Sequence, residues 1–193
     1  MAHVIQHRYT PEEYLALERQ AEYKSEYLDG HIYAMTGASR EHNVITLNTA
    51  AELRAQLGGR PCEVYAADMR VKVSETGLYT YPDVVAVCGD RRFEDAHVDT
   101  LLNPTVIIEV LSESTEAYDR GRKSAQYRRL ESLAEYVLIA QDRMHVECYA
   151  RQGEHWVLTE VSEPDGSFTL QSLGGTLRLR DIYERIEFPD AER

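Results

Sequence analysis

The sequence predicts an α/β protein, a mixed sheet flanked by helices. Segments of strand type and helix type alternate along the 193 residues, in the order helix, hairpin, helix, strands, helix, strands. Two of the strand runs, 81–88 and 105–111, are almost wholly apolar, as buried strands are. The first helical segment opens with capping chemistry before its apolar residues begin. The length suits a single domain spanning 1–193.

Taken in order, Thr10-Pro11-Glu12-Glu13 reads as a helix start: a capping threonine, proline at the first helical position and glutamate three residues after the cap. That helix carries Tyr14, Leu15 and Leu17 and is expected to end near Gln20. Asp29-Gly30 lies between Glu26-Tyr27-Leu28 and the run His31 to Met35, which signals a two-residue hairpin. A second helix is expected over 39–57, with Val44, Leu47, Ala51 and Leu57 as its apolar face and Gly58 as its stop. Strands are expected at 62–65, 69–73, 81–88 and 105–111, a helix at 119–131, and a strand at 136–140. The segments 145–149, 156–161, 168–170 and 177–179 read as short strands and turns.

Composition narrows the function. Lysine and arginine total 21 against 33 acidic residues, a formal charge of −12. Phosphate contacts need positive charge, so this balance weighs against a nucleic-acid partner unless a local basic patch or a bound cation supplies it. It also raises the expectation of a metal. No apolar run reaches membrane-spanning length, and Met1 to Arg8 lacks the apolar stretch of a secretory signal, so a cytoplasmic protein is expected. Cys62, Cys88 and Cys148 have no zinc-type spacing; Cys88 and Cys148 sit in apolar runs and are expected to be small buried thiols.

One residue breaks the apolar pattern. In Thr105-Val106-Ile107-Ile108-Glu109-Val110-Leu111, Glu109 shares a face with Ile107 and Leu111. An unpaired carboxylate there costs several kcal/mol, roughly, so Glu109 needs a cation, a metal or a basic side chain. Asp83 stands at the mouth of the other apolar strand, just after Pro82. Alone it could be a turn residue; beside Glu109 it completes a carboxylate pair able to hold a hard divalent cation. The run from Asp119 to Arg129 is the densest positive cluster in the chain. Helical spacing puts Lys123, Tyr127 and Leu130 on one face, with Arg122 and Arg129 on another. Lys123 could stabilise developing negative charge and the arginines could meet phosphates; a solvated helix with an Asp119–Lys123 pair is the plain alternative.

Glu26 before Asp29-Gly30, then MTGASREHNVI, YPDVVAV, TVIIEVLSEST, DRGRKSAQYRR and EYVLIA, in that order and spacing, resemble the Uma2 endonuclease family of the PD-(D/E)XK nuclease superfamily. The resemblance runs from about Tyr9 to about Tyr183, a core of about 9–183, and implies a restriction-endonuclease-like fold. It implies that Asp83 and Glu109 bind Mg²⁺ or Mn²⁺, joined by the Val110 carbonyl, and that Glu26 takes the place of the superfamily's helix-one glutamate. The usual motif lysine, two residues after the glutamate, is replaced by Leu111, and Lys123 from the following helix is its substitute. His42 matches a histidine that recurs in the family; it sits near the site or caps the second helix. Arg120, Arg122 and Tyr127 are candidate contacts to nucleic acid. The implied activity is metal-dependent hydrolysis of DNA phosphodiesters by a possible homodimer, in which Trp156, Leu158 and Val161 could lie at an interface. Two alternatives stay open: a nuclease-fold protein that binds nucleic acid or a protein without cutting, and a metal hydrolase of a small phosphorylated molecule.

Overall fold

A computed structural model describes residues 7–188. The stretch 1–6, on which the expectation of no secretory signal partly rested, lies outside the described residues. The chain runs α1 (Pro11–Glu18), β1 (Ser25–Leu28), β2 (His31–Ala34), α2 (Arg40–Gln56), β3 (Cys62–Ala66), β4 (Arg70–Val73), β5 (Leu78–Thr80) and β6 (Val84–Cys88). It continues through β7 (Thr100–Leu101), β8 (Val106–Leu111), α3 (Glu116–Tyr118), a π-helical turn (Asp119–Lys123) and α4 (Ser124–Tyr127). The last elements are β9 (Glu135–Ala140), β10 (Val146–Gln152), β11 (His155–Val161), β12 (Ser167–Leu170), β13 (Gly175–Arg178) and α5 (Leu179–Ile182).

Alternation along β8 sets the layers. Its odd and even residues face opposite ways, and all six are buried. Ile108 and Val110 pack with Ile45 and Leu53 of α2 and with Leu179 and Ile182 of α5. Ile107 and Leu111 pack the other way, against Val71, Val73, Leu78, Tyr127 and Leu130. β8 lies in a six-stranded sheet of order β11-β10-β9-β8-β6-β3, parallel to β9 and antiparallel to β6. A second sheet, β2-β1-β5-β4-β7, covers the Ile107 face, while the β12–β13 hairpin joins the α2 side through Phe168, Leu170 and Leu177. A mixed sheet flanked by helices is thus what forms, with a second sheet added on one side. No helix among the described residues is long and apolar enough to cross a membrane.

The local signals at the N-terminal end act as expected. Thr10 and Glu13 form a reciprocal capping box on α1, and Asp29 and Gly30 turn the β1–β2 hairpin with φ of 51° and 82°. Three expectations need correction. The buried face of α2 is Ile45, Thr46, Thr49 and Leu53, with Leu57 just beyond; Leu47 is 68% exposed. Threonines at two core positions hid that face from an apolar pattern. The helix expected at 119–131 instead begins at Glu116 and ends at Tyr127, with the π-helical turn inside it. Cys88 is not a free thiol: the β3–β6 register sets it opposite Cys62, and the two form a disulfide across a sequence separation of 26. Only Cys148 is a buried free thiol, as expected.

Candidate active site

Strand register brings the two predicted acids together. β6 and β8 pair with Val84 opposite Ile108, so the next residues outward are Asp83 and Glu109. The Asp83 N–H points to Glu109 Oε2 at 3.4 Å, and Asp83 Oδ2 accepts from the Val110 N–H at 2.8 Å. Pro82 ends the preceding segment where a ladder donor is not needed. His42, in the first turn of α2, brings Nε2 to 3.2 Å from Asp83 Oδ2. Burial works against protonation of this imidazole, but the Asp83 carboxylate and the Val110 backbone outweigh it and raise its pKa. Ser39, not His42, caps the helix, so the histidine side chain is left for the site.

Lys123 reaches the same point from the opposite layer. Its Nζ lies 2.9 Å from Glu109 Oε1, 3.1 Å from Glu26 Oε1 and 3.5 Å from Asp119 Oδ1. Asp119 and Lys123 are the two ends of the π-helical turn, and both are buried. Such turns often mark functional positions because they redirect side chains without ending the helix. Tyr127 donates its hydroxyl to Glu109 Oε1 at 2.7 Å; Thr80 donates to Glu26 Oε1, and Tyr118 to Glu26 Oε2 at 3.3 Å. Burial raises the Glu109 pKa, with the Lys123 ammonium pulling the other way and the Asp119 and Asp83 charges adding to the rise. Asp119 is raised by the same burial, again opposed by Lys123. Burial also disfavours the Lys123 charge, yet the surrounding carboxylates hold its pKa well above the usual lysine value.

These groups open into a cavity of about 820 Å³, lined among others by Glu26, His42, Asp83, Glu109, Asp119 and Lys123. The donor set suits a hard divalent cation: three carboxylates share one lysine, Asp83 adjoins them, and Glu109, 3% exposed, is held among them with its pKa raised chiefly by burial. A tighter trio of metal-type donors, His145, Glu147 and Glu160, has ligand atoms within 4.8 Å of one another. There, however, Arg120 already neutralises Glu147, and Tyr149 donates to it at 2.9 Å. Among the described residues no equally tight trio forms around Asp83 and Glu109, whose oxygens are engaged by Lys123, Tyr127, His42 and backbone N–H groups.

The structure therefore gathers Asp83, Glu109, Lys123, Glu26 and His42, with Val110 at the same point. It separates the candidate nucleic-acid contacts. Arg122 is exposed on the cavity wall and has no ion-pair partner among the described residues. Arg120 is engaged by Glu116 at 2.8 Å and by Glu147. Tyr127 has no exposed surface. Glu26 comes from a strand, β1, and not from a helix; the buried acid on α1 is Glu18, which accepts from the Ser25 N–H and the Tyr81 hydroxyl. Asp119, Thr80 and Tyr118 are members that the sequence did not single out for the site. Asp119 and Lys123 do have the i,i+4 spacing of a pair, but that spacing suggested a solvated one.

Two sheets, flanking helices and an acid cluster at the mouth of β6 and β8 define the restriction-endonuclease-like class of fold. A crystal structure described as a "putative nuclease belonging to DUF820", from Anabaena variabilis, superposes with a TM-score of 0.75 over 91% of this chain and 97% of its own, at 20% identity. The chain belongs to the Uma2 family: that family's model, described as "Putative restriction endonuclease", matches residues 11–180. Two proteins of Synechocystis sp. are similar over most of their length, both described as uncharacterized. One, sll1609, is 39% identical over 153 residues, covering 79% of this chain and 86% of its own; the other, slr1290, is 34% identical over 180 residues, 93% of each.

Proposed function

We propose that this protein is a metal-dependent endonuclease that hydrolyses phosphodiester bonds in DNA. The observation that carries this reading is the buried Glu109, facing Asp83 on the neighbouring strand and sharing one lysine with Glu26 and Asp119. The family description supports a nuclease of restriction-endonuclease type. Asp83 and Glu109, with the Val110 backbone, would hold Mg²⁺ or Mn²⁺. When bound, such a cation polarises a phosphoryl oxygen and acidifies water.

The remaining work falls to side chains of the chain itself. Lys123 stays protonated among its carboxylates, so it acts as a fixed ammonium that offsets charge developing on the phosphoryl oxygens, and not as a base. Its nearness to Glu109, 2.9 Å, supports its standing in for the motif lysine that Leu111 displaces. His42 orients Asp83 through Oδ2 and carries a proton at the cavity wall. Tyr127 fixes the Glu109 rotamer from below. Arg122, free on the rim, contacts a substrate phosphate. Two copies pairing through β11, an edge strand with Val157 and Leu158 exposed, would give the two sites that double-strand cleavage needs.

The test is cleavage of plasmid and of single-stranded DNA with Mg²⁺, Mn²⁺ or chelator. Cleavage is expected only with metal, and Asp83→Asn and Glu109→Gln should each lower it by about 100-fold or more. Cleavage that survives both substitutions, or survives chelator, overturns the assignment.

A further inference from the structure

The cavity wall also holds two tyrosines that the proposed hydrolysis does not use. Tyr33 on β2 is the direct cross-strand partner of Glu26, so its ring stands on the same sheet face as that carboxylate, one strand further out. Tyr33 is 53% exposed, and Tyr23, two residues before β1, is 67% exposed; both line the cavity. Neither side chain makes a hydrogen bond among the described residues. Both rings therefore present free faces to a stacking partner beside the cluster of buried charge.

Charge says what that something is. The lining offers Lys24, Arg122 and Lys123 against Glu26, Asp83, Glu109 and Asp119. Lys24 is committed to the Ala67 carbonyl at 2.8 Å and to Asp68, and Lys123 to its three carboxylates. Arg122 is left, with whatever cation the acids hold. That is enough positive charge for about one phosphodiester, far short of the array that grips a duplex through its backbone. Affinity must then come from non-ionic contact, and exposed aromatic rings supply it to unpaired bases.

Resting on the nuclease reading above, we infer that the substrate is a single-stranded or locally unpaired nucleic acid, with one base stacked on Tyr33 and Tyr23 beside the scissile phosphate. The test is binding of labelled oligonucleotides of about 12 nucleotides, single-stranded and as the matched duplex, by fluorescence anisotropy with Mn²⁺ and with chelator. KM and kcat are measured alongside. The single strand should bind more tightly than the duplex. Tyr33→Leu should weaken single-strand binding by about 5- to 100-fold, with the loss in KM and not in kcat, and Tyr33→Trp should restore it. The slope of log affinity against log salt should be shallow, about −0.7 to −1.4, as for one or two neutralised phosphates on a single strand. Tighter duplex binding, a steep salt slope or indifference to Tyr33→Leu overturns the inference while leaving nuclease activity in place. Tyr33-dependent binding of the single strand without cleavage supports the inference and removes the hydrolysis. Failure of the wild-type protein to bind either form removes both.

Discussion

The molecule keeps acidic side chains in two different ways. Under α1, Asp95 and Asp99 meet Arg19 at 2.8 Å each, and Asp99 also takes Arg70 at 3.1 Å. Cations there match carboxylates, and the Arg19 hydrogen bond holds the Asp99 pKa down at about 2. Arg70 leaves Nε and Nη1 without hydrogen-bond partners but lies over the Tyr14 and Tyr81 rings, with 5.8 and 5.4 Å to their centroids. At the mouth of β6 and β8 the balance is reversed: Glu26, Glu109 and Asp119 share one lysine, Asp83 adjoins them, and the Glu109 and Asp119 pKa values rise. The first arrangement ties α1 to the loop before β7. The second is left short of positive charge in a cavity, as expected where a ligand completes the balance.

Removing the cation from each region separates the two most sharply. Lys123→Ala strands three carboxylates, two of them on strands of the core, and should cost about 3–5 kcal/mol of stability by urea denaturation. Arg19→Ala leaves partly exposed aspartates that water can serve and should cost about 1 kcal/mol. Adding Glu109→Gln to Lys123→Ala should recover part of the larger loss, because one stranded charge is then gone. Equal losses for the two single substitutions would break the contrast.

A smaller effect follows from supplying charge. Mg²⁺ or Mn²⁺ at about 100 times its dissociation constant adds about 2.7 kcal/mol, a rise of roughly 5–10 °C in the unfolding midpoint for a chain of this size. Glu109→Gln should abolish that rise; Arg19→Ala should leave it intact. A wild-type midpoint indifferent to both cations would mean that the acid cluster is complete as it stands.

How much of this could be read beforehand depended on the range of the interaction. The capping box at Thr10, the Asp29-Gly30 hairpin and the buried strand around Glu109 are local statements, and each formed as written. Glu109 was legible because a charge in a run of buried apolar residues demands a partner wherever the chain goes. The α2 face was misread because Thr46 and Thr49 lie in its core, where a polar residue looks like a surface one. The Cys62–Cys88 bond depends on β3–β6 register, which no short-range pattern encodes. Asp119 was seen as the partner of Lys123 but assigned to solvent. Only the π-helical turn and the sheet beneath it place both inward, and such a turn has no composition of its own.

The balanced network yields the smallest effect and the cleanest sign. A carboxylate whose folded pKa is depressed stabilises the fold above its unfolded pKa, 3.8, and loses that contribution as pH falls toward about 2. With about a third of the Asp99 side chain exposed, solvent screening reduces the full linkage value to about 1–2 kcal/mol. Asp99→Asn should therefore lower the unfolding free energy measured in urea by that amount near pH 7. The difference from wild type should shrink between about pH 4 and about pH 2, where wild-type Asp99 itself becomes protonated. Two features of the region make this reading separable from general acid unfolding. Arg19 retains Asp95 at 2.8 Å in the variant, so the tie between α1 and the segment before β7 loosens without disappearing. Asp95→Asn, which removes an ion pair further out, should show the same convergence with a smaller amplitude. A gap between Asp99→Asn and wild type that stays constant from neutral pH to about pH 2 would show that the amide disturbs packing around Arg70, and that ionic matching is not what holds this region.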